Sequence, residues 1–313
     1  MAVKRLQNRV AESRLALPAI AVYAITMWIT SGLFTKGLWL QFALFVISTY
    51  LIVEMNNKYA LIRTYSRMVS CSFLVMTLAA SGLLYSVSGN IVQLCFVAFY
   101  TLLFNCYQNK KSAGWTFYAF SCLGLASLLF VQILYFIPVL WLVMLFNIQS
   151  LSFRTFWASI FGIIVPYWIL GCYYLVNGDL ANIATHFAAL EQFGTFAQFT
   201  SLTVNKIATF AYVLILAIIG SIHFIRKNYN DKIRIRMIFN TFMVMDLLSV
   251  VFIILQPQYY DMLIRLMIIN TCPLIGHFIT LTKTWITNIG FYIILISSIL
   301  LTIFNLWAPS FSF

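Results

Sequence analysis

Among the few residues of this chain able to do chemistry, Asp246 has the most apolar surroundings, in the stretch NTFMVMDLLSVVFII from Asn240 to Ile254. A carboxylate about nine residues from each end of an apolar helix lies near a bilayer midplane, where a charged Asp costs about 2.5–3.5 kcal/mol on insertion scales. It must therefore face protein or water. If the segments flanking QPQYY form a helical hairpin, Asp246 shares a depth with Asn270, and Asn240 with His277, to within about one turn. Two readings follow. Asp246, Asn270 and His277 form a proton, cation or substrate site, or Asp246 is a protonated carboxyl hydrogen-bonded between helices.

Two cations belong to the other end of the same helices. Arg265 lies one turn inside the start of its apolar segment with Asp261 at i−4, the spacing of a helix-face ion pair. Together, Arg265 and Lys206 would flank a cavity for an anionic headgroup or phosphate. In the connector 177–203, Asp179, His186 and Glu191 are the acid–base residue types, so a general base on that side would come from them. His186 and Glu191 are five apart and do not share one helix face. In the same connector Leu180, Ile183, Phe187, Leu190, Phe193 and Phe196 recur at three- and four-residue spacing. That pattern predicts one external amphipathic helix on the membrane surface, with Asp179 as its N-cap.

The elements that must hold these residues are set by composition. The chain has 313 residues, 63% hydrophobic and 8% charged, against roughly 25% charged in soluble domains. Apolar blocks of about 17–20 residues favour an all-α polytopic membrane protein over a barrel of alternating strands. The spans predicted are 15–33, 38–54, 68–87, 91–107, 115–130, 134–148, 155–175, 204–224, 237–255, 261–281 and 286–306, about 11 transmembrane helices in a single domain, 1–313. The block 115–148 would reach about 51 Å as one helix against a hydrocarbon core of about 30 Å, so it is read as a hairpin turning near 131–134. That turn leaves sixteen of the nineteen Lys and Arg on one side, including the basic loop 225–236, with Lys36, Lys206 and Arg265 on the other. By the positive-inside rule the N-terminus is cytoplasmic and the C-terminus extracytoplasmic. Trp39 and Trp307 then fall at the outer interface, and Trp115, Trp157 and Trp285 at the inner one. The first apolar block lacks a small-residue cleavage site and is read as a retained helix.

The same inventory excludes several classes. The net charge of +12 punctuates the ends of apolar blocks and forms no basic stripe with stacking aromatics, so no nucleic acid is expected. The six cysteines lie within apolar blocks without CxxC spacing, which predicts no structural disulfide and no zinc site. No nucleotide, hydrolase or metalloprotease motif occurs, so no cofactor is expected. Pro138, Pro166 and Pro273 fall inside predicted spans and predict kinks there.

From about Asn57 onward, ALIRTYSRM, FYAFSCLGLASLLF, SFRTFWASIFGIIVPYWILGCYYLVNGD and NTCPLIGHFITLTKTW resemble an uncharacterised family of polytopic inner-membrane proteins common in Bacteroidota. Arg154, Gly162, Pro166, Tyr167, Pro273 and His277 carry the likeness. The resemblance implies location in the bacterial inner (cytoplasmic) membrane and no particular reaction. GLASLLF followed by an Arg-led span also resembles membrane glycosyltransferases that use polyprenyl-phosphate-linked sugars. Those enzymes carry a catalytic acid in the first external loop, whereas SGLFTKG, 31–37, contains none. The expected function is cell-envelope glycan or lipid handling on the extracytoplasmic side, with membrane lipids, and a polyprenyl-phosphate-linked sugar, as ligands. The alternatives are a proton-coupled transporter using Asp246 and a non-catalytic subunit of a membrane complex.

Overall fold

Long apolar runs can bury their backbone polar groups in lipid only by bonding them internally, and this sequence does so with helices alone. The computed structural model describes residues 5–177, 181–194 and 202–307, and among them there is no strand. In chain order the helices are α1 (Leu6–Glu12), α2 (Ala16–Thr30), α3 (Trp39–Tyr59), α4 (Met68–Ala79), α5 (Val87–Leu103), α6 (Ala113–Leu129) and α7 (Ile137–Phe146). They continue as α8 (Phe153–Asn177), α9 (Ala181–Ala188), α10 (Val204–Lys227), α11 (Ile233–Leu255), α12 (Tyr260–Leu281) and α13 (Trp285–Trp307).

Seven of these, α3, α5, α8, α10, α11, α12 and α13, are long and apolar enough to cross a membrane. The pair α1 and α2, bent by 90° at a short break, is an eighth candidate if it forms one span. Each of the eleven predicted windows holds a helix, but α4, α6 and α7 have only 12, 17 and 10 residues. At 1.5 Å per residue α4 is about 18 Å long, well short of a hydrocarbon core of about 30 Å. Short 3-10 turns, Ser81–Tyr85 after α4 and Val131–Phe136 before α7, extend the chain at those points.

The centre of the bundle is α12, whose apolar window is 89% buried and which packs on α4, α5, α10 and α11. By contrast α8 and α13, each 17% buried, present most of their surface outward. Trp39, Trp115, Trp157, Trp285 and Trp307 are all exposed, as interfacial rings would be. The six cysteines are free thiols.

Cross-chain hydrogen bonds define the two ends of the bundle. At one end Gln108 N–H donates to Ile148 O (2.9 Å) and Ser152 Oγ to Lys110 O (2.8 Å), so the end of α7 returns to the start of α6 as a hairpin. Arg234 Nη2 to Phe104 O (3.0 Å) and Gln7 Nε2 to Ile279 O (2.6 Å) join the same end. At the other, Tyr85 Oη donates to Ser31 O (3.2 Å) and Asn305 Nδ2 to Ala79 O (2.6 Å). Of the described cations, only Lys36, Lys206 and Arg265 belong to this second end.

The prolines behave differently from one another. Pro138 sits in the first turn of α7, where its missing N–H leaves no bond broken, so the kink expected there does not arise. Pro166 and Pro273 do lie inside α8 and α12. Pro166 packs where α6 has Gly124, and α8 in turn offers Gly162 to α6. A Cβ on Gly162 would lie 2.6 Å from Phe117 O, so the two backbones approach as closely as glycine permits.

The predicted external amphipathic helix falls partly within the described residues. Among the described residues of this connector Ala181–Ala188 is helical, and residues 189–194 are fastened to protein. Gln132 Nε2 donates to Ala189 O (3.1 Å), Tyr135 Oη to Leu190 O (2.6 Å) and Tyr259 Oη to Gln192 O (2.8 Å). The hairpin tip and the α11–α12 turn therefore clamp this segment, whose carbonyls find partners in the protein. Asp179 lies outside the described residues.

Candidate functional site

The hairpin of α11 and α12 sets Asp246 beside Thr271, the residue after Asn270. Its carboxyl is 4% exposed and takes a hydrogen bond from Thr271 Oγ1, 3.3 and 3.4 Å from its two oxygens. The neighbouring Asn270 is engaged elsewhere, accepting from Tyr100 Oη at 2.6 Å. Asp246 thus joins α11 to α12, and Asn270 joins α12 to α5. His277, about two turns further along α12, belongs to neither contact. The expected three-residue site is not assembled, because the helix rise separates His277 from the other two.

At the opposite end the structure separates Arg265 from Lys206. Lys206 Nζ pairs with Asp261 Oδ1 at 2.9 Å on the exposed rim, taking the carboxylate that the i−4 spacing had assigned to Arg265. Arg265 turns inward and is 1% exposed, donating to Asn90 Oδ1 (2.7 Å), Gln93 Oε1 (3.2 Å) and Leu83 O. Local sequence explains this seat. Ser86 Oγ accepts the Gly89 N–H and caps α5, and a Cβ on Gly89 would lie 2.5 Å from Arg265 Nε. Arg265 therefore staples α12 to the α4–α5 connection through neutral acceptors. His186 Nε2 lies 3.4 Å from Tyr167 Oη, itself bonded to Ser127 Oγ at 2.8 Å, while Glu191 is exposed in the turn after α9. Those two residues are not brought into hydrogen-bonding contact.

His277 has a different partner, which the sequence reading left within the basic connector. Its Nε2 lies 3.0 Å from Asp231 Oδ2, with both side chains 1% exposed, and Arg63 Nη1 stands 3.9 Å from the other carboxyl oxygen. Asp231 follows the 3-10 turn Asn228–Asn230 in an extended conformation and precedes α11, so the connector delivers its side chain inward beneath α12. An ionised carboxylate only accepts, so the histidine donates from Nε2 and leaves Nδ1 facing no protein partner. The ring packs among Phe224, Phe239 and His223, with centroids 5.2, 5.2 and 5.4 Å away.

Beside this pair opens a cavity of about 530 Å³, lined by Arg63, His223, Arg226, Lys227, His277 and Lys283 among others. No Asp or Glu is among its described lining residues. The start of α13 also borders it. Thr284 Oγ1 accepts the Thr287 N–H at 3.3 Å, and both threonines line the space. A helix N-terminus carries partial positive charge and unpaired N–H groups, and adds to the four cations an environment suited to an anion. His223 Nε2 is buried and has no protein partner. Guanidinium and ammonium donors lining one space match a phosphate, whose oxygens accept several charge-assisted hydrogen bonds.

Among the described residues no group of three or more His, Cys, Asp or Glu is arranged to hold a metal ion. The sequence signal for this site was Asp231 itself, the one acid in a connector with five cations. No match to this chain was found among known protein families, curated proteins or solved structures.

Proposed function

We propose that this is a multi-pass membrane protein that handles phosphate-bearing amphiphiles, with the headgroup held in the basic cavity between α10, α12 and the start of α13. The observation that carries the reading is the convergence of Arg63, Arg226, Lys227 and Lys283 on one 530 Å³ space without a lining carboxylate. A basic cavity at the end of an apolar bundle meets lipid headgroups at their own level. In the proposed topology the chain crosses eleven times, and the basic end, with the N-terminus, is cytoplasmic. The C-terminus is extracytoplasmic. The crossings by α4, α6 and α7 rest on the hairpin hydrogen bonds and on charge placement. A polyprenyl-phosphate-linked sugar belongs to the proposed ligand class. The headgroup site lies at the end opposite to Lys206.

Binding to hexadecyl phosphate in nanodiscs tests the reading. Wild-type protein should bind hexadecyl phosphate and not hexadecyltrimethylammonium, and Arg63→Gln with Lys283→Gln should weaken binding by at least about tenfold, given 1.5–3 kcal/mol per charged hydrogen bond. Equal binding of the anionic and cationic amphiphiles would reject it. The transporter reading gains no observation, because the Asp246 carboxyl is buried and held by Thr271.

A further inference from the structure

A second space lies next to the basic cavity along the same helices. On α10, Arg226, His223 and Ile219 line it, and Leu216 and Tyr212 line a second, apolar groove of about 190 Å³. Positions 226, 223, 219, 216 and 212 alternate three- and four-residue steps and so form one face of one helix. The same holds on α13, where Thr287 borders the basic cavity and Phe291, Ile294 and Ser298 border the groove. On α12, Phe278 lines the first space and Ile275 and Ile279 the second. The strips on α10 and α13 are thus polar or basic at the cytoplasmic end and largely apolar beyond, and α12 lines both spaces.

The groove exists because its outer walls are small. Ala16 and Ala19 of α2, Ser72 of α4 and Ser298 of α13 leave the space. Ala19 and Leu295 are both exposed, so the groove opens sideways to the surroundings of the bundle. From Arg226 to Tyr212 the strip runs about 21 Å, which spans a headgroup and one leaflet of a hydrocarbon core about 30 Å thick.

We infer that the ligand of the basic cavity carries a long hydrocarbon chain, and that this chain lies in the groove between α2, α4, α10 and α13 while the phosphate sits at Arg63, Arg226 and Lys283. This deepens the proposed function and rests on it. It separates a lipid phosphate from free phosphate, because inorganic phosphate has nothing to place against Leu216, Phe291 and Ile294. It also gives the largely exposed α13 a role as one wall of a lipid slot.

The test is photocrosslinking in nanodiscs with hexadecyl phosphate carrying a diazirine on its terminal carbon, beside hexadecanol with the same diazirine. The phosphate probe should label peptides containing Met76, Tyr212 or Ser298, and excess unlabelled hexadecyl phosphate should remove that label. Ala19→Phe, on the exposed wall of the groove, should lower it several-fold, and Arg63→Gln should lower it likewise. If the phosphate binds in an Arg63-dependent way but its chain labels the outer face of α8 as strongly as the groove, the chain placement falls and the headgroup reading stands. If phosphate and alcohol probes label identically, and inorganic phosphate gives no competition, both fall together.

Discussion

Asp231 and Asp246 are buried carboxylates with unlike partners, and that difference decides what each substitution should do. Asp231 faces His277 at 3.0 Å and Arg63 at 3.9 Å. Removing the acceptor of a buried hydrogen bond leaves the donor without its partner, and Asp231→Ala should lower stability by about 1–3 kcal/mol. Asp246 accepts one hydroxyl, Thr271 Oγ1, and an asparagine can accept the same bond. Asp246→Asn should therefore change stability by less than about 1 kcal/mol and leave hexadecyl phosphate binding unaltered. Thermal unfolding in detergent, with the binding assay alongside, checks both. A large loss of binding in Asp246→Asn would return the midplane carboxylate to the functional site. Arg265 shows why residue type alone misleads. Its position at i+4 from Asp261 suggested an ion pair, but Lys206 from α10 reaches that carboxylate first and the guanidinium turns to Asn90, Gln93 and Leu83 O.

At the scale of elements, the packing of α6 on α8 depends on two missing side chains. A Cβ on Gly162 would meet Phe117 O at 2.6 Å and Phe120 Cβ at 3.0 Å, and backbone atoms cannot swing away. Gly162→Ala should cost about 1–3 kcal/mol by overpacking. Gly114→Ala, in the exposed first turn of α6 with nothing within 4 Å, should stay within about 0.5 kcal/mol. Similar unfolding temperatures for the two variants would contradict the close approach of these helices. Helix positions were legible in the sequence because long apolar runs leave the backbone no other way to satisfy itself. The turn after Leu129 was legible too, since one helix through 115–148 would overrun a bilayer. Connector 177–203 was less so. Its stripe of Leu and Phe reads the same whether it lies on lipid or on protein, and the hydrogen bonds with Gln132, Tyr135, Gln256, Gln258 and Tyr259 show that residues 189–194 are held by protein. The pairing of His277 with Asp231 was hidden because hairpin register relates residues within α11 and α12, whereas Asp231 lies in the connector before α11.

For the whole molecule, charge and cavity agree on one direction. The basic end gathers all described cations except Lys36, Lys206 and Arg265, and the 530 Å³ cavity opens there, against helices whose apolar strips lead into the bundle. The charges in the sequence predict which end of the bundle is basic, and of the residues singled out there His277 lines the cavity, whereas His186, Glu191, Lys206 and Arg265 lie toward the end with fewer cations. A loop acid and a rim arginine are visible in a sequence, whereas a cavity assembled from the α3–α4 loop, α10 and the α12–α13 turn appears only when the chain is folded. The most direct measurement is a structure of the protein in nanodiscs with hexadecyl phosphate. The account predicts phosphate density within hydrogen-bonding distance of Arg63 and Lys283, with tail density along Leu216 and Phe291. An unfilled basic cavity, with the headgroup instead at Lys206, would contradict it.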